Sequence, residues 1–139
     1  MNLTGLLITL MLLALIWELA WGLTDMKRLG PRELRQRLES GWRPLLLDVR
    51  TPREYAWFHI SGSVNAPFGS AELDAALELH SRTDGNTTPV VIICMTGHRS
   101  TLTAWNLQRT GLVEIHDLMG GMVGWRLTGG PVVSGSRPQ

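Results

Sequence analysis

The run Val90-Val91-Ile92-Ile93, closed by Cys94 and followed by Met95-Thr96-Gly97-His98-Arg99-Ser100, constrains this chain more than any other stretch. Four consecutive β-branched residues without polar alternation fit a strand buried on both faces, as in a parallel sheet. From Ser100 to Arg109 the pattern becomes helix-compatible, and Gly111 is placed to stop that helix. Cys94 is therefore expected at the carboxyl end of a central strand. That is the edge where open α/β sheets bind ligands, and the first-turn amides of the following helix point into the same space.

A thiol so placed has chemical consequences. Unpaired N–H donors, the positive end of a helix dipole and the nearby side chains of Arg99 and His98 all favour thiolate over thiol. Gly97 suits the sharp turn, since a close approach of backbone to ligand leaves no room for a Cβ. Residues 95–100 thus read as an anion cradle around a reactive sulfur. Cys94 is the candidate nucleophile, and Met95, Thr96, Gly97, His98, Arg99 and Ser100 are the candidate substrate-binding residues. A lone cysteine is more commonly an inert buried hydrophobe. What argues for the reactive role is the polar loop directly behind it.

The remainder of the chain supplies further α/β elements. Residues 31–40 fit a helix, with Pro31 at its first position, Leu34 and Leu38 on one face and Gly41 past its end. Residues 45–49 fit a core strand, and Thr51-Pro52-Arg53-Glu54 reads as a capping box opening a short helix through Trp57. Asp48, Arg50 and Glu54 are candidates for touching substrate, with Arg53 a weaker one, but opposite charges this close in sequence are expected to brace their own loop, because Arg and carboxylate readily form forked pairs. His59 is expected to fix the turn before Ser61-Gly62. Asp48, Arg50 and His59 are in this way supporting residues of the site. Residues 64–66 fit a short strand, Ser70 an N-cap for a helix through about His80, Asp84-Gly85-Asn86 a turn, and residues 113–118 the last strand. Gly120-Gly121 permits a tight turn, with Met122 and Trp125 in the core.

Alternating strands and helices of these lengths argue for a parallel sheet covered by helices on both faces. The net charge of +1 gives no electrostatic case for nucleic-acid binding. A single cysteine excludes an internal disulfide, and four scattered histidines without ligand spacing argue against a metal. From Thr128 onward the chain is rich in Gly, Ser and Pro and reads as a loosely ordered tail.

Residues 3–23 contain one ionisable side chain, Glu18. A helix of that extent is about 30 Å long, the thickness of a bilayer's hydrocarbon core. Glu18 would sit at the interface beside Trp17 and Trp21. Lys27, Arg28, Arg32, Arg35 and Arg37 follow with no basic counterpart before the segment, which directs the carboxyl-terminal side to the cytoplasm. A cleaved secretory signal is one competing reading, but the segment lacks a basic n-region and a small-residue cleavage site before Thr24. An apolar helix packed on the domain itself is another, disfavoured because the segment is apolar nearly all round. The expected organisation is a single-pass membrane anchor at 1–24, a folded domain at 25–128 and a flexible tail at 129–139.

Five short pieces, in order, carry a resemblance to the rhodanese family: Leu46-Leu47-Asp48-Val49-Arg50; Glu54-Tyr55; His59-Ile60-Ser61-Gly62-Ser63-Val64-Asn65-Ala66-Pro67; the Cys94 loop with Arg99-Ser100; and Gly120-Gly121-Met122-Val123-Gly124-Trp125. The likeness spans residues 29–125, and Phe58 departs from it where the family usually has glycine. It implies a rhodanese-like domain with a central five-stranded parallel sheet, and a thiosulfate sulfurtransferase-like enzyme whose cysteine carries a persulfide. The implied partners are a small sulfur donor, a cyanide or thiol acceptor, and a protein acceptor as a further option, with no external cofactor.

Two rival readings follow from the same residues. Phosphatases and arsenate reductases also place cysteine and arginine around a strand-to-helix anion loop, but with five intervening residues where this chain has Met95, Thr96, Gly97 and His98. The shorter loop suits a single terminal sulfur better than a tetrahedral oxyanion. The other rival is a membrane-tethered binding or sulfur-delivery module serving a neighbouring protein.

Overall fold

The computed structural model describes residues 2–24, 26–84, 87–111 and 114–136. Its elements in chain order are α1 (Leu3–Gly22), β1 (Lys27–Leu29), α2 (Pro31–Glu39), β2 (Leu45–Asp48), α3 (Pro52–Trp57), β3 (Val64–Asn65), α4 (Ala71–Asp84), β4 (Val90–Ile93), α5 (His98–Gln108), β5 (Ile115–Leu118) and α6 (Gly121–Leu127). The five strands form one sheet in the order β1-β5-β4-β2-β3, and every pairing within it is parallel.

Alternation along the strands divides the core in two, because successive side chains of a strand point to opposite faces. Leu47, Val49, Val90, Ile92, Cys94 and Ile115 face one layer, with Leu73 of α4 and Ala104 of α5. Leu29, Leu46, Val91, Ile93 and Leu118 face the other, with Leu34 of α2 and Met122 and Trp125 of α6. Every residue of β4 is buried, as an unbroken β-branched run flanked by two parallel neighbours requires. From β2 the chain moves outward to β3, and from β4 it moves the opposite way to β5. The sheet's switch point therefore lies between the carboxyl ends of β2 and β4, the crevice where ligands bind in such folds.

Local signals hold where expected. Thr51 and Glu54 make both bonds of the capping box, and the Ser70 hydroxyl accepts from the Leu73 amide. Helix α4 continues past His80 to Asp84, and the Glu78–Arg82 ion pair lies along that extra turn. The turn expected at 84–86 and the start of the strand expected at 113 fall on Gly85, Asn86 and Val113, outside the described residues.

Three findings depart from the sequence reading. Lys27-Arg28-Leu29, read as a link, is an edge strand that buries only Leu29 and owes its conformation to pairing with His116, Asp117 and Leu118. Gly120-Gly121 does not merely turn the chain; it opens α6. The segment from residue 129, expected to be loose, is fastened as far as Gly135. Val133 exchanges both backbone bonds with His59, the Trp125 indole donates to the Pro131 carbonyl at 2.9 Å, and the Gly135 amide donates to Ala56. Composition misses this because, apart from the Trp125 indole, these bonds use backbone groups of residues 56–59, which any sequence could offer.

Helix α1 spans 20 residues, has no fully buried side chain, packs partly on the domain through Trp21, and is long and apolar enough to cross a membrane.

Candidate active site

Cys94 follows β4 directly and is 1% exposed. The Gly97 amide donates to its Sγ at 3.0 Å and the Ser100 hydroxyl at 3.3 Å. Gly97 is the N-cap of α5 with φ 93°, and among the described residues no side chain caps that helix. The first-turn N–H groups are thus left for a ligand, and the helix dipole favours negative charge at this end. A Cβ on Gly97 would sit 2.9 Å from the Gly120 nitrogen, so both the conformation and the space require glycine.

The other side of the loop is held by α6. The Met122 amide donates to the Cys94 carbonyl at 2.9 Å and the Val123 amide to the Met95 carbonyl at 3.0 Å. This approach depends on Gly121, whose φ is 54° and whose added Cβ would lie 2.4 Å from the Cys94 oxygen. The Cys94 loop is therefore clamped between two helix N-termini. The sequence pointed to one of them; Met122 and Trp125, three apart behind a glycine pair and both buried, were the available sign of the other.

The remaining loop residues take distinct positions. Met95 packs against the α2/α6 core layer. Thr96 and His98 are exposed, with the Thr96 hydroxyl 3.0 Å from His98 Nδ1. The Arg99 guanidinium is not free above the sulfur: it reaches across the switch point to Glu54, with contacts of 2.7 and 3.3 Å. That hydrogen bond is the main reason Arg99 is raised further above its ordinary value, with burial opposing and the Glu54 charge assisting.

Asp48 and Arg50 are fully buried and form a forked pair, Arg50 Nε to Asp48 Oδ1 at 2.9 Å and Nη2 to Oδ2 at 2.7 Å. Arg50 Nη2 also donates to the Phe58 carbonyl at 2.7 Å, and Asn65 donates to the carbonyls of Asp48 and Arg50. These residues shape the β2 edge of the crevice. Phe58 has an extended backbone, φ −169°, that makes no demand for glycine, and the guanidiniums of Arg50 and Arg126 both lie over its ring. His59 stacks on Tyr55 at 3.7 Å and bonds the Tyr55 carbonyl through Nδ1, so it fixes the turn.

Glu54 thus serves the capping box and Arg99 together. Its carboxyl is lowered from 4.5 to about 2, first by the Arg99 hydrogen bond and then by the Thr51 amide and hydroxyl, against the effect of burial. A carboxylate whose folded pKa is depressed contributes stability above its unfolded value and loses it as pH falls through the folded one. Thermal denaturation is expected to show the wild type losing more stability than Glu54→Gln between about pH 5 and pH 2. Parallel curves for the two proteins would contradict the pairing.

Comparison with known proteins agrees with this geometry. The model of the rhodanese-like domain matches residues 30–128. The thiosulfate sulfurtransferase GlpE of Stutzerimonas stutzeri is 32% identical over 107 residues, covering 76% of this chain and 90% of that protein. Thiosulfate sulfurtransferase 16, chloroplastic, of Arabidopsis thaliana is 31% identical over 91 residues, covering 61% of this chain and 76% of that protein. The adenylyltransferase and sulfurtransferase MOCS3 of Oryza sativa subsp. japonica is 31% identical over 110 residues, which is 74% of this chain but only 25% of that longer protein. Among solved structures, a thiosulfate sulfurtransferase from Pseudomonas aeruginosa superposes with a TM-score of 0.69 at 26% identity over 80% of this chain and 21% of that one. A cysteine just past β4 whose sulfur accepts from the Gly97 amide, a five-stranded parallel sheet and these matches together establish that the chain belongs to the rhodanese-like family.

Proposed function

We propose that the protein is a membrane-anchored sulfurtransferase that moves sulfane sulfur, from thiosulfate or a persulfide donor, through Cys94 to cyanide or a thiol. The observation that carries this reading is the pair of donors on Sγ, the Gly97 amide and the Ser100 hydroxyl, at the mouth of an uncapped helix. Thiosulfate sulfurtransferases among the relatives support it.

In the first half-reaction the Cys94 thiolate attacks the outer sulfur of thiosulfate. The S–S bond of the donor breaks, sulfite departs with its electron pair, and Cys94 holds a persulfide whose terminal negative charge meets the loop donors. In the second, cyanide or a thiolate attacks the terminal sulfur and Cys94 leaves as thiolate. No net redox change occurs in the protein, and two half-reactions sharing one covalent intermediate give ping-pong kinetics. Steady-state rates varied in both substrates test this: parallel double-reciprocal lines are expected, and intersecting lines would contradict it. Hydrolysis of a phosphate ester at rates rivalling sulfur transfer would favour the phosphatase reading instead.

Because α6 sets the position of the Cys94 carbonyl, Gly121→Ala is expected to lower sulfur transfer by roughly a hundredfold, as a displacement of about 1 Å in a catalytic group can do. Unchanged turnover in a thiosulfate–cyanide assay would show that the α6 clamp is dispensable.

The anchor reading rests on α1, with the basic residues after it directing the domain to the cytoplasm. Carbonate-washed membranes should retain the full chain, with the domain digested by protease only from the cytoplasmic side. Release by carbonate, or a mature amino terminus beyond residue 23, would overturn it. The tether also suits delivery of sulfur to a neighbouring protein's thiol, a second reading within the same chemistry.

A further inference from the structure

The membrane-spanning candidate helix does not simply trail from the domain. Trp17 lies with its ring 5.4 Å from that of His98, the exposed loop residue bonded to Thr96, and it is half-buried while its neighbours up the helix are exposed. Trp21, one turn on, packs edge-to-face on Trp17 at 5.5 Å and against the core layer that contains Cys94. Glu18, between them, meets Arg28 of β1 at 2.8 Å. Arg28 Nε lies 3.5 Å from Asp117 Oδ2 of β5.

Asp117 is buried, and the Thr101 hydroxyl of α5 reaches its Oδ2 at 2.7 Å while also touching the Gly97 carbonyl. Gly97 is the residue whose amide donates to the Cys94 sulfur. Two contact chains thus run from one turn of α1 to the catalytic loop. One passes from Trp17 through His98 to Thr96. The other passes from Glu18 through Arg28, Asp117 and Thr101 to Gly97. Burial pushes the Asp117 carboxyl up, with the Ser100 and Thr101 hydroxyls and Arg28 opposing. The neighbouring guanidinium therefore bears on whether that carboxyl stays charged.

We propose that Trp17 and Glu18 are positioning residues of the active site, so that the end of the anchor sets the geometry of the loop that receives the sulfur donor. This rests on the reading of Cys94 as the sulfur carrier. Trp17 restrains His98 and with it the rim of the cradle; Glu18 holds Arg28 where it faces Asp117. The aromatic belt that seats a helix at the membrane interface is here the same surface that braces the catalytic loop.

The test uses the full chain in nanodiscs of phosphatidylethanolamine and phosphatidylglycerol, with thiosulfate and cyanide as substrates and persulfide on Cys94 followed by mass. Trp17→Ala is expected to raise the KM for thiosulfate about fivefold with kcat changed less than about twofold, the signature of lost ground-state binding. Trp17→Phe should restore the wild-type KM, and Glu18→Gln should shift KM in the same direction as Trp17→Ala by about twofold. Trp17 and Glu18 lie outside the hydrophobic core, so these variants keep the fold. Wild-type kinetics in both Trp17→Ala and Glu18→Gln, with normal persulfide formation, would overturn the positioning role and leave sulfur transfer standing. A Trp17→Phe variant as impaired as Trp17→Ala would also overturn it. Failure of the wild type itself to acquire sulfur would remove the sulfur-transfer reading and this proposal with it.

Discussion

Cys94→Ser is expected to abolish sulfur transfer, lowering thiocyanate formation from thiosulfate and cyanide by on the order of a thousandfold or more, as loss of a covalent nucleophile does. Serine fills nearly the same volume at the end of β4 and can accept from the Gly97 amide, so the fold should be retained. What it lacks is a sulfur nucleophile that bonds reversibly to sulfur. The same variant separates enzyme from tether in cells. A cellular phenotype lost together with the activity identifies the enzyme, whereas one that survives Cys94→Ser identifies a role for the domain's surface.

The second large effect is on stability. Asp48→Ala would leave Arg50 buried with its forked partner gone, retaining the Phe58 carbonyl as its remaining acceptor among the described residues. Removing one member of a buried pair costs about 3–5 kcal/mol, because the other charge remains in a poor solvent. Replacing both with apolar residues of similar size removes that penalty. Asp48→Ala should therefore lower the urea midpoint strongly, and the double variant Asp48→Leu/Arg50→Met should recover most of the loss. If Asp48→Ala unfolds at the wild-type midpoint, the pair does not brace the β2 edge as its geometry implies.

Much of this arrangement was legible in the residues. Val90 to Ile93 reads as an interior strand and is one, and the glycine-containing polar loop expected after it follows Cys94 into α5. The capping box at Thr51 and Glu54 was equally readable, since its bonds span three residues and need no tertiary partner. What the sequence could not show is that Glu54 takes on Arg99, 45 residues away, which ties α3 to α5 across the crevice. Edge strand β1 was hidden because two of its three residues are basic and its conformation comes from β5. Helix α6 was hidden behind a glycine pair that reads as a turn, and the segment after it behind a composition that says nothing about backbone partners. Each of these misses is a long-range contact that local propensity and periodicity do not encode. The Trp17–His98 contact belongs with them, joining two segments that each looked self-explanatory.

Intact-protein mass spectrometry after exposure to thiosulfate tests sulfur transfer at Cys94 most directly. The expected result is a gain of one sulfur atom, mapped to Cys94 and removed by cyanide. Protein that stays at its original mass, or that carries the added sulfur anywhere else, would contradict it.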